Sequence, residues 1–196
     1  MFTDAVAAIA LTLLILPLLE TIADARAEHP TFGDLISENL GQFGAFALSF
    51  AVIFRFWWAH HRLFEHISSL NPVFVRLSVV WTFAIVVLPI PTAIITAYAA
   101  SPGSVALYGG TLVLCSGALT LMAWYAYRNP QYSRGRTPET REMVLGNFTI
   151  FCAEVVATVV GSVFAGSIGF FAFLLIFLVG PVEAMVKERW RRESAL

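Results

Sequence analysis

The stretch that decides the fold is FTDAVAAIALTLLILPLLE, residues 2–20. Thr3, Asp4 and Thr12 are its only polar side chains before Glu20. Carried on through Ile22, the run has the roughly 20 mostly apolar residues that a helix needs to cross a bilayer. It is not uniform around its circumference. At about 100° per residue, Ile9, Leu13 and Leu16 fall in one narrow stripe. The stripe meets Phe2 at one end and Glu20 at the other, with Thr12 at its edge, while Asp4 points well away from it. Ala5, Ala7, Ala8 and Ala10 fill much of the remainder, and small residues let helix backbones approach closely in lipid. One face is therefore bulky and branched, capped by a carboxylate, and another hides an acid.

The rest of the chain has the same character. Its 196 residues are 58% hydrophobic and 13% charged, with a mean hydropathy of +0.77. A soluble domain is nearer 45–50% apolar and about 25% charged. The composition predicts an all-α integral membrane protein. Six apolar segments can be drawn within a single domain, residues 1–196. They cover about 2–22, 40–66, 73–98, 104–127, 140–164 and 167–188. Backbone groups in lipid must be satisfied within the segment, which requires helices, and no segment alternates as a barrel strand would. The first segment is read as a span and not as a cleaved leader, because no basic region precedes it and Asp4 interrupts its start.

Charge in the connections orients the bundle. The first connection is acidic, with Asp24, Glu28, Asp34 and Glu38 against Arg26. The third and fifth carry no charge. The second is flanked by Arg62 and Arg76, the fourth holds Arg128, Arg134, Arg136 and Arg141, and the tail holds Lys187, Arg189, Arg191 and Arg192. By the positive-inside rule both termini are cytoplasmic in a cell membrane, which agrees with an even number of spans. The basic tail suits contact with anionic lipid.

Several residues stand out for chemistry. Trp57, His60 and His61 lie at the inner end of the second segment, at the depth of Asp4. One histidine and Trp57 are expected to hydrogen-bond Asp4 or Thr3 and so hold the first helix against the second. The histidines are adjacent, about 100° apart, and cannot both face one partner. Arg55 and Glu154 sit at similar depth within the membrane, where ionisable groups are usually paired, and are expected to form a buried ion pair. Pro89 and Pro91 should kink the third segment. Cys115 and Cys152 lie in apolar runs and read as small hydrophobes.

The classes excluded are as informative. The net charge is −1, and no basic patch interleaves with aromatics, so nucleic acid is not an expected partner. No phosphate loop, nucleophile–base arrangement or metal-ligand spacing is present, so neither an enzyme, a metal nor a cofactor is expected. There is no Thr-Val-Gly-Tyr-Gly loop of the conventional potassium filter.

The pattern Phe2-Thr3-Asp4-Ala5 followed by Ile9, Thr12, Leu13 and Leu16 resembles the signature of the transmembrane-protein-175 family of potassium channels, in its prokaryotic branch. Further matching blocks are Ser49-Phe50, Trp57, His60, His61 and Phe64, and then Leu88-Pro89-Ile90-Pro91-Thr92. Order and spacing match over roughly the first half of the chain, and the second half matches in hydropathy. Thr3 stands where the family has serine, which keeps the hydroxyl. The family's arginine four positions before the phenylalanine would fall ahead of Met1. The resemblance implies a homotetrameric, potassium-permeable cation channel with one six-helix repeat per chain. It implies that the first helix lines the pore, with the constriction at Ile9, Leu13 and Leu16 and with Thr12 and Glu20 beside the path. The permeant ion would be K+ or another monovalent cation. A proton-coupled transporter that uses Asp4, His60, His61 and Glu154 as a relay, and a non-conducting membrane scaffold, are the alternatives that the residues leave open.

Overall fold

The computed structural model describes residues 2–28, 31–133 and 138–174. Its elements are α1 (Phe2–Leu13), α2 (Leu16–Glu28), α3 (Phe32–Glu38), α4 (Leu40–Glu65), α5 (Pro72–Val87), α6 (Pro89–Ala97), α7 (Pro102–Arg128) and α8 (Pro138–Val163). Two short 3-10 helices, Pro130–Tyr132 and Gly169–Leu174, follow α7 and α8. The fold is all-helical, and five stretches are long and apolar enough to cross a membrane: Phe2–Ala23, Leu40–Glu65, Pro72–Ala97, Pro102–Arg128 and Thr140–Val163. They coincide with the first five expected segments to within two residues at each end. Of the sixth, 167–188, the described part ends in the 3-10 helix Gly169–Leu174. Residues 175–188, with the basic tail beyond them, lie outside the described residues.

Two of the spans are broken, each by proline. Pro17 has no N–H for the Leu13 carbonyl, and its ring crowds that same group. The chain answers with a two-residue turn at Leu14–Ile15, where the Ile15 N–H donates to the Thr12 carbonyl at 3.3 Å. In the third span, Pro89 and Pro91 remove the donors for Ile85 and Val87, and α5 gives way to α6 at Leu88. The ladder is kept around the break, with Leu88 N–H on the Ala84 carbonyl at 3.1 Å and Thr92 N–H on the Leu88 carbonyl at 3.2 Å. The acidic first connection is not an open loop. It holds the end of α2 and the short α3, whose N-terminus is capped by Thr31 accepting from the Asp34 N–H at 3.3 Å.

Helix starts are capped by short polar side chains. Asn71 accepts from the N–H groups of Val73 and Phe74 at 2.9 and 3.1 Å, and donates to the Tyr125 hydroxyl at 3.0 Å. Ser101 and Ser104 form a reciprocal capping box at the start of α7, the arrangement that satisfies two otherwise orphaned donors. The Asn71–Tyr125 bond puts the start of α5 beside the end of α7. An Ile67–Ser133 bridge ties the second and fourth connections together at the same end. An apolar groove of about 490 Å³ between α1 and α5 is lined there by Phe2, Phe64, Leu70 and Phe74. Successive spans therefore run antiparallel, with the arginine-flanked connections at one end, called inner here.

Helix α7 is the hub, packed by α4, α5, α6 and α8. Tyr108, Leu112, Cys115, Leu119 and Met122 on it are buried, as are Phe56 of α4 and Phe74 and Trp81 of α5. Lipid tails are as apolar as leucine, so close packing holds these helices together and not escape from water. The α7–α8 seam shows it. A Cβ at Gly109 would run into the Thr158 side chain, and one at Gly117 would lie 3.3 Å from the Phe151 ring.

Candidate functional site

Two of the four alanines of the first span, Ala7 and Ala10, turn inward with Leu14 and Leu18, whereas Ala5 and Ala8 are exposed. Ala7, Ala10, Leu14 and Leu18 are 1%, 2%, 3% and 6% exposed against α4 and α5. The bulky stripe turns the other way, leaving Ile9 59%, Leu13 42% and Leu16 49% exposed on the outside of the subunit. It is not one continuous helical stripe, because the Leu14–Ile15 turn separates Ile9 and Leu13 on α1 from Leu16 at the start of α2. All three nevertheless share the outer side. Phe2 at the inner end is exposed, as is Glu20 toward the outer end. Thr12 is exposed too, but its hydroxyl is occupied, donating to the Ile9 carbonyl at 2.8 Å.

A polar contact ties α1 to α4. The Trp57 indole N–H donates to Asp4 Oδ1 at 2.9 Å. His61 brings Nδ1 to 3.9 Å from the same carboxylate oxygen and Nε2 to 3.6 Å from Glu65, one turn further along α4. Its ring stacks on Trp57 with centroids 5.5 Å apart. His60 does not join this tether. Buried at 3% exposure, it lies between Trp81 at 4.1 Å and Phe64 at 4.4 Å and meets the Ser78 hydroxyl through Nε2 at 3.2 Å. It therefore joins α4 to α5, because the one-residue step sends it to the other neighbour. Thr3 is half-buried at the groove and does not take part in the Asp4 contacts among the described residues.

The direct Arg55–Glu154 ion pair expected from depth is not formed. Among the described residues neither oxygen of the Glu154 carboxyl has a hydrogen-bond partner, although Arg55 lies near enough to act on it electrostatically. Arg55 is on α4, which packs chiefly on α1 and α6, and Glu154 is on α8, which packs on α7. Equal depth in the membrane brought them within electrostatic reach but not into hydrogen-bond contact.

A second polar group was not legible as a unit. Thr92 on α6 lies 3.0 Å from the Ser49 hydroxyl on α4, and Ser49 lies 3.4 Å from the Tyr108 hydroxyl on α7. All three are buried. Ser49 and Thr92 stood in separate sequence blocks, and nothing in their spacing joins them to Tyr108. Among the described residues, no group of three or more His, Cys, Asp and Glu side chains is placed to hold a metal ion.

Comparison with known proteins bears on this arrangement. Residues 1–89, which carry α1 to α5 and the whole Asp4 tether, match the family model described as endosomal/lysosomal potassium channel TMEM175. The chain resembles the TMEM175 channels in sequence and in fold. A potassium channel of Streptomyces collinus is 29% identical over 134 residues, 65% of this chain. The match spans 62% of that relative's own length. A variant of the potassium channel MtTMEM175, crystallised with a nanobody–MBP fusion, superposes with a TM-score of 0.60 at 18% identity, over 96% of this chain and 91% of its own. A lysosomal potassium-selective channel TMEM175 homolog from Chamaesiphon Minutus gives 0.60 at 22% identity, over 91% and 93%. The likeness in fold thus reaches into the second half of the chain, beyond the residues that the family model matches.

Proposed function

We propose that the chain is one subunit of a homotetrameric, potassium-permeable cation channel in the cell membrane, with both termini cytoplasmic and α1 lining a central pore. The observation that carries the reading is the outward turn of Ile9, Leu13 and Leu16 on a span that buries Ala7, Ala10, Leu14 and Leu18 against its own subunit. Large apolar side chains facing lipid are ordinary, and what favours a pore here is the Asp4–Trp57 bond, which ties the span to α4 from a different face. A lipid-facing stripe needs no fixed rotation, whereas a ring of side chains from several subunits does. The family match over residues 1–89 and the solved potassium channels of the same fold support the same conclusion.

In the tetramer, four copies of Ile9, Leu13 and Leu16 make three apolar layers over roughly 10 Å of helix axis. Such layers gate by excluding water, and they lack the carbonyl cage of a conventional filter. Preference for potassium is accordingly modest. Four Glu20 carboxylates stand at the outer mouth and raise the local cation concentration. Monovalent cations and membrane lipid are the partners of this reading, and no step in it is catalytic.

The test is potassium flux from liposomes with the purified protein, alongside its native mass. Ile9→Asn and Leu13→Asn are expected to increase flux, because a polar ring holds water that an apolar ring expels. Unchanged flux in both variants, or a monomeric mass, would overturn the pore assignment. Flux that saturates and stops without a proton gradient would point to a transporter.

A further inference from the structure

Glu154 lies within α8 with 0% of its surface exposed, and among the described residues neither of its carboxyl oxygens has a hydrogen-bond partner. Folded proteins rarely leave such a group unsatisfied, and those that do usually hold bound water there. Its surroundings are polar. Ser116 on α7 faces the carboxyl, with its own hydrogen engaged by the Leu112 carbonyl at 3.1 Å. Tyr108 and Cys115 on α7 and Arg55 on α4 are within electrostatic reach. Helix α8 packs on α7, whereas α1 packs on α4 and α5, so this group stands apart from the Ile9–Leu16 face.

Hydrogen counting supplies the second observation. The Thr92 hydroxyl has one hydrogen and two acceptors in reach, the Leu88 carbonyl at 2.9 Å and Ser49 at 3.0 Å. If Thr92 donates to Leu88, Ser49 can donate to Thr92 and Tyr108 to Ser49. If Thr92 donates to Ser49, Ser49 can donate to Tyr108, and the Tyr108 hydrogen is released. A three-hydroxyl chain therefore runs from α6 through α4 to α7 and can end in a donor on the same helix as Ser116 and Cys115.

We propose that each subunit holds an internal water-binding site, separate from the pore face, in which bound water donates to the Glu154 carboxyl and links it to Tyr108 and Ser116. The site ties α8 to α7 and, through Ser49 and Thr92, to α4 and α6. The ligand class is a small neutral donor, because the carboxyl needs donors and the Arg55 guanidinium nearby disfavours a second cation. The proposal does not depend on conduction through α1.

The experiment is radiolytic hydroxyl-radical footprinting of the full chain in nanodiscs, read by mass spectrometry. Radicals born from bound water oxidise the side chains that touch it, even where bulk water is excluded. Once normalised for intrinsic reactivity, Tyr108 is expected to be oxidised several-fold more than Phe56 and Phe74, which are equally buried but in apolar surroundings. Glu154→Gln, whose amide still binds water, should keep that labelling, and Glu154→Leu should reduce Tyr108 and Cys115 to the level of the apolar controls. Wild-type Tyr108 as protected as Phe74 would overturn the proposal whether or not the variants fold. So would labelling unchanged by Glu154→Leu.

Discussion

At the scale of single residues, His60 and His61 show how one step along a helix divides a role. Both sit on α4, and about 100° of rotation separates them. His60 is closed in by Trp81, Phe64 and Ser78, and His61 stays 44% exposed between two carboxylates. The prediction is asymmetric. His60→Ala should cost about 2–4 kcal/mol, by loss of a packed ring and exposure of the Ser78 and Trp81 surfaces to a cavity. His61→Ala should cost under about 1 kcal/mol, as expected for a solvent-screened pair. Thermal unfolding of the two variants in one detergent checks the ordering, and equal losses would contradict the burial difference. Asp4 and Trp57 obey the same logic at closer range. Their 2.9 Å bond joins α1 to α4, and with the packing of Ala7 and Ala10 it helps fix which way Ile9 and Leu13 point.

At the scale of elements, proline and glycine mark where the helices change. Pro17 divides the first span, so that Leu16 belongs to α2 while Ile9 and Leu13 belong to α1. The sequence placed the proline but not its effect, because a helix can absorb a missing donor by a kink, a bulge or a turn. The α7–α8 seam gives a sharper case. Gly109 and Gly110 are adjacent on α7, yet a Cβ at Gly109 collides with Thr158 and Phe173, and one at Gly110 meets nothing within 4 Å. Gly109→Ala should destabilise the protein by about 1–3 kcal/mol through overpacking. Gly110→Ala should be neutral or stabilising by up to about 1 kcal/mol, since alanine is the better helix former. The same unfolding measurement decides, and a costly Gly110→Ala would mean that another chain presses on that face.

At the scale of the whole molecule, charge is segregated along the membrane normal. Arg62, Arg76 and Arg128 gather at the end where Asp4 and His61 meet, and Glu20 lies toward the opposite end. In the proposed tetramer the Glu20 ring acts through its field and not through a contact. Glu20→Gln should therefore lower single-channel conductance at about 10 mM salt, where screening reaches only over some 30 Å, and change it little near 1 M, where the length falls to about 3 Å. Equal effects at both salt concentrations would move Glu20 away from the mouth. A ring of rotation-related subunits also makes each interface heterologous, one flank of α1 meeting the other flank of its neighbour. The apolar groove beside Phe2 and Thr3 lies on one such flank.

Much of this protein follows from sequence alone. Span number and placement through residue 163 and the two-sided character of the first helix are local properties, set by hydropathy and by a 3.6-residue period. Even the pairing of Asp4 with Trp57 was within reach, because depth and family pattern both point to it. What the tertiary structure alone decided is which helices are neighbours. Arg55 on α4 and Glu154 on α8 come within electrostatic reach without a direct hydrogen bond, and the approach of α6, α4 and α7 brings Thr92, Ser49 and Tyr108 together. Depth in a membrane is written along each helix. Azimuth around the bundle arises only when close-packed surfaces such as Gly109 against Thr158 choose their partners, and lipid offers no solvent contrast by which a single sequence could announce that choice.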